Sequence, residues 1–148
     1  MQVFFSKDLT NSSTFGSMDI MEKKKIYHGQ LADFWFDTDG ILHAISKPEG
    51  IRSIETLKGD LELIKSFSED KRVGLILDNS FTKAYDIKMI RFTIKEYPKL
   101  FKAVAFIPNS PIGKMISSIL STLNPGDIMP IATFENKNDA KKWILEHL

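Results

Sequence analysis

The groups in this chain that could carry chemistry are a few histidines, several carboxylates and the hydroxyls that open its helices. Their spacing decides what each can do. The histidines, His28, His43 and His147, stand far apart, and no two share a metal-ligand spacing such as His-x-x-x-His. Cysteine is absent, which removes thiolate nucleophiles, cysteine-ligated zinc and disulfides. Asp37-Thr38-Asp39-Gly40 has the look of a calcium loop but lacks the ligand run and the closing Glu of one, so it reads as a turn. Gly113-Lys114 is not a phosphate-binding loop, because a single glycine precedes the lysine and it lies inside a helical pattern. Asp60, Glu62, Glu69 and Asp70 read as solvated charges. The sequence therefore offers no catalytic set, no metal site and no cofactor motif.

One polar constellation does gather at expected strand ends. Asp78, Asn79 and Ser80 follow one apolar run, and Asn109 and Ser110 follow the next. Ligands of open α/β sheets favour the crevice beyond the carboxyl ends of strands. Ser110 opens a helix whose N-terminus favours anions, Lys114 sits one turn in, and Asp86 opens the helix before it. The competing reading is capping and turn chemistry, which every one of these residues can perform, and it is the favoured one.

These groups need elements to hold them. Ala32–Phe36 and Ile41–Ile45 are short apolar runs around Asp39-Gly40, a hairpin signal. Ser53 caps a helix carrying Ile54, Leu57, Leu61 and Ile64 as far as Phe67, with Glu55 in its first turn. Val73–Leu77 is a strand buried on both faces. A second helix runs from Asp86 to Tyr97, where Pro98 ends or kinks it. Lys102–Ile107 is another buried strand. Ser110-Pro111 opens a third helix carrying Ile112, Met115, Ile116, Ile119, Leu120 and Leu123, which Asn124-Pro125-Gly126 stops. Pro130–Phe134 is a last strand, and Asn136 caps a last helix with Ala140, Trp143 and Ile144 on one side. The order predicts an α/β fold: a mixed, largely parallel sheet of about five strands with an N-terminal hairpin and about four helices. Residues 1–24 read as a tail or an added edge strand, and residues 25–148 as a single domain.

Bulk properties narrow the classes further. The 148 residues carry 20 basic against 19 acidic side chains, a net charge of +1. A general nucleic-acid binder would show a basic excess. No apolar run is long enough to span a membrane, and the N-terminus lacks the order of a signal peptide, so the expected location is the cytoplasm.

Four stretches in order, Asp39-Gly40-Ile41-Leu42, Leu75–Asp78, Phe101–Ile116 and Pro130–Ile144, resemble the SpoIIAA-like (STAS/SEC14) family of small bacterial domains. The terminal strand ending in Phe134, then a helix with Ala140 and Trp143, fits that pattern. The resemblance implies an α/β fold of the SpoIIAA type and a non-enzymatic regulatory module that docks on a protein partner. In such proteins a phosphorylatable serine starts the helix after the middle strand. Here Ile87 and Lys88 follow Asp86 instead, so the phosphoswitch is expected to be missing, and Ser80 and Thr82 are off-register. Met89 and Phe92 fall off the Ile87, Ile90, Ile94 stripe, and Met115 and Ile119 belong to a wide apolar stripe whose other side bears only Ser117, Ser118 and Ser121. These residues form the candidate surface for a protein partner or a homodimer. The alternative is a carrier of a small apolar molecule or lipid, with a pocket under the third helix.

Overall fold

A computed structural model of the chain describes residues 24–79, 86–123 and 129–148. The expected N-terminal tail up to residue 23 and Ser80 lie outside the described residues. Among the described residues six strands form one sheet in the order β1-β2-β3-β4-β5-β6: β1 Tyr27–His28, β2 Ala32–Phe36, β3 Leu42–Ser46, β4 Val73–Asp78, β5 Phe101–Ile107 and β6 Ile131–Thr133. Pairs β1–β2 and β2–β3 are antiparallel and the rest parallel. The sheet gains one strand over expectation, because the two-residue β1 is too short to leave a period in the sequence. The last strand is shorter than Pro130–Phe134, but its flanks still bond to β5, through Val104 N–H to Pro130 O at 3.0 Å and Phe134 N–H to Phe106 O at 2.8 Å.

Among the described residues three helices fill the connections, α1 Ile54–Phe67, α2 Ile87–Leu100 and α3 Pro111–Leu123, and a fourth, α4 Lys137–Leu145, follows the last strand. Ser53 begins α1 with a capping box, its Oγ accepting from Thr56 N–H while its own N–H donates to Thr56 Oγ1, each at 3.1 Å. Glu69 and Asp70 leave α1 at φ of 56° and 62°, solvated as expected. α2 runs past Pro98 to Leu100. Pro98 sits in the last turn, where the missing N–H costs a single bond.

Because each parallel strand is added on the same side of the last, right-handed crossovers place α1, α2 and α3 on one face of the sheet. That face holds the larger core, with Phe34, Leu42, Leu61, Met89, Phe101 and Leu120 among its buried members. Helix α4 packs against β4 and β5 on the other face, where Ile41, Ile76, Ala105, Ala140 and Ile144 make a second core. Gly74 lets α4 approach there, since a Cβ on it would stand 2.5 Å from Ile144 Cγ2. Trp35 and His43 point to the α4 side by strand alternation, beyond the strands that α4 covers.

Candidate interaction surface

The polar residues expected at the strand ends separate into fixed and free groups. Asp86 caps α2, its Oδ1 accepting from Met89 N–H at 2.9 Å. Ser110 caps α3, its Oγ accepting from Gly113 N–H at 3.0 Å. Asn79 does not face the rim: it is 3% exposed, and its Nδ2 donates to Ser117 Oγ at 3.3 Å and Gly113 O at 3.4 Å. Ser117 is buried too, donating to Gly113 O at 2.9 Å. These bonds tie the end of β4 to the first turns of α3. Asp78 is half-buried at the end of β4. Asp86 is exposed while it caps, and Asn109 and Lys114 are exposed too, in an open groove of about 730 Å³ shared with Ser118, Thr133 and Glu135. The capping interpretation therefore accounts for Asp86 and Ser110, and Asn79 is a fastening between elements.

The apolar candidates need one correction. Met89 is 2% exposed and belongs to the core, as do Ile90, Thr93 and Tyr97 on the same face. The buried stripe of α2 is rotated from the expected one because Thr93 goes inside, its hydroxyl satisfied by Met89 O at 2.9 Å. Ile87 is turned outward instead and is 50% exposed. Phe92 and Ile119 are half-buried against the core. Met115 is 55% exposed and Ile112 41%.

These exposed side chains border one seam. Phe92, Glu96 and Lys99 line a groove with α1, so that flank of α2 faces α1. With 3.6 residues to the turn, the opposite flank carries Ile87, Arg91 and Ile94. Lys114 and Ser118 face β6, so Ile112 and Ile119 occupy the flank of α3 turned back toward α2. Met115 lies on the crest beside them. Both helices begin at the carboxyl ends of neighbouring parallel strands, which puts Ile87, Ile112 and Met115 at the same end of the sheet.

Other charged groups are structural. Asp60 was expected in solvent but is 3% exposed, with Gln30 N–H and Leu31 N–H donating to its two oxygens at 2.6 and 2.8 Å. It borders an apolar cavity of about 60 Å³ that lies under α1, with Phe34, Leu57, Leu75 and Tyr97 around it. Under α3, Ile116, Ser117 and Leu120 are buried.

A network that sequence spacing did not single out joins the hairpin to α4. The turn 37–40 fixes a register in which Trp35 pairs with His43, and their rings stack at 5.4 Å and 12°. His43 Nε2 donates to Asp37 Oδ2 at 2.8 Å, and its Nδ1 is buried without a hydrogen-bond partner among the described residues. Lys141 of α4 reaches Asp39 at 2.7 Å and Asp37 at 3.5 Å. Burial pushes the Asp37 carboxyl up, but the His43 ring, the backbone N–H groups of Ile41 and Asp39 and the imidazole charge together hold it below the ordinary carboxylate range. The hydrogen bond to Asp39 raises Lys141. Among the described residues no His, Asp and Glu side chains group to hold a metal ion, and no helix is long and apolar enough to cross a membrane.

Fold and surface together define a mixed α/β domain with three helices on one face, one on the other, and an apolar seam left open between two of the three. The chain belongs to the family described as a domain of unknown function (DUF7793), which matches residues 34–148. The match starts inside β2, leaving β1 outside. No curated protein and no solved structure matches the chain.

Proposed function

We propose that this chain is a non-enzymatic interaction module of the STAS type, working in the cytoplasm by presenting α2 and α3 to a protein partner. The observation that carries the reading is the exposure of Ile87, Ile112 and Met115 along one seam. Clustered apolar side chains on an otherwise polar surface mark places where another molecule sits. Two features support a non-enzymatic role. The polar groups at the strand ends are largely engaged in caps and fastenings, and the Nδ1 of His43 is buried, out of reach of a substrate. Ile87 and Lys88 occupy the first helical positions of α2, where the resembling proteins carry their phosphorylated serine, so partner exchange here would be controlled by other means.

The test is cross-linking in the host followed by mapping of the linked peptides. Links that concentrate on α2 and α3, and that disappear with Ile112→Ser and Met115→Ser combined, are the expected result. Links confined to α1, α4 or the hairpin would show that the working surface is elsewhere.

A further inference from the structure

The outward face of α2 carries a charge pattern that the net charge conceals. Lys88, Arg91, Lys95 and Lys99 are all exposed, and their spacing of three, four and four residues stacks them along one arc of the helix opposite the buried stripe. Glu96 pairs with Lys99 at 3.1 Å. Lys88, Arg91 and Lys95 have no acidic partner among the described residues. Helix α3 contains no acidic residue at all, and α2 has only Glu96. A cationic ridge thus runs alongside the apolar seam of Ile87, Ile112 and Met115.

We propose that the occupant of this face is an acidic, amphipathic segment of another protein, with apolar side chains in the α2–α3 seam and carboxylates along Lys88, Arg91 and Lys95. The inference rests on the interaction-module reading above and adds the chemistry of the partner. A second copy of this chain fits poorly, because a two-fold pairing through this face sets the ridge against itself. A phosphate backbone answers the ridge but has nothing to offer the seam. An anionic bilayer answers both, yet membrane-lying helices anchor with Trp, Phe and Leu, and the exposed side chains of the seam are Ile87, Ile112 and Met115. An amphipathic helix laid along a groove meets both features at once.

The experiment uses the full chain and a dye-labelled synthetic helix with leucine on one face and glutamate on the other, read by fluorescence anisotropy. Controls are the same composition scrambled, a lysine-faced helix, phosphatidylserine vesicles and a DNA duplex. The acidic helix is expected to bind more tightly than every control and to weaken as salt is raised. Combined Lys88→Glu, Arg91→Glu and Lys95→Glu should weaken it about tenfold or more and turn the preference toward the lysine-faced helix. Combined Lys88→Gln, Arg91→Gln and Lys95→Gln should weaken it without that reversal, and circular dichroism checks that both variants fold. If Ile112→Ser with Met115→Ser abolishes binding while charge reversal leaves it intact, the face stands and the acidic partner falls. If neither set matters, both readings fall. Tighter binding to vesicles or to the duplex, or a dimer that only the serine variant dissolves, also overturns the proposal.

Discussion

Asp60→Asn tests the account of the core most sharply, because sequence and structure assign that carboxylate opposite environments. The side chain is 3% exposed and receives two backbone N–H groups, from Gln30 and Leu31. Asparagine keeps the shape and leaves no cavity. Its single oxygen can serve one of the two donors, while its NH₂ faces the other. A buried donor stripped of its acceptor costs about 1–3 kcal/mol, and exchanging a charged for a neutral acceptor on the remaining bond costs about 1 kcal/mol more. The expected loss is therefore about 2–4 kcal/mol. Urea titration followed by circular dichroism should show a lower midpoint with an unchanged slope. Glu62→Gln, exposed on the same helix, should stay within about 0.5 kcal/mol. If Asp60→Asn is as silent as Glu62→Gln, the carboxylate is a solvated charge after all, and the anchoring of residues 30 and 31 to α1 is wrong.

Other consequences are open to the same assay. The Asp37 carboxyl is held below its ordinary value, so in acid the unfolded chain binds its proton first and stability rises with pH there. That contribution is complete above about pH 4 and is lost as pH falls through the lower folded value; Asp37→Asn should flatten the dependence below about pH 4, and parallel curves for the two proteins would contradict it. Gly74→Ala should cost about 1–3 kcal/mol by overpacking against the buried Ile144, and a neutral result would mean that α4 sits further from the sheet. Asn79→Ala should cost about 1–2 kcal/mol and raise hydrogen exchange in the first turns of α3; exchange unchanged in α3 would show that the fastening does nothing.

What could be read from the sequence was local. Ser53 and Thr56 lie three residues apart, Asp39-Gly40 makes its own turn, and Asn136 caps α4 by accepting from Asp139 N–H. In each case the partners sit within one turn of chain, so composition and spacing carry the information. Asp60 was misjudged because the amides that hold it are 29 and 30 residues away in sequence. Asn79 looked like a rim residue for the same reason, its partners being 34 and 38 residues on. The rotation of α2 failed differently: Thr93 counts as polar in a pattern, yet its hydroxyl finds Met89 O and the side chain enters the core. The Trp35–His43 stack was within reach, since a hairpin turning at residues 37–40 already sets 35 opposite 43.

The distribution of satisfied charge separates structure from function more clearly than the net charge does. On the hairpin side, Asp33, Asp37 and Asp39 each have a cationic or histidine partner, in His28, Lys47, His43 and Lys141. Those carboxylates hold β1, β3 and α4 in place. On α2 the reverse holds, with Lys88, Arg91 and Lys95 exposed and without an acidic partner among the described residues. An exposed, unpaired lysine costs the free protein little, because the solvent stabilises it. The same lysine becomes expensive once something covers it, unless the covering surface supplies a carboxylate. Apolar seam and ridge lie side by side, so a partner that buries Ile87, Ile112 and Met115 must also crowd the ridge. An apolar partner without acid would lose on the ridge what it gained in the seam, and an acidic partner without apolar side chains would leave the seam wet. On the proposed reading, the pairing of the two requirements on adjoining surfaces would make α2 and α3 selective.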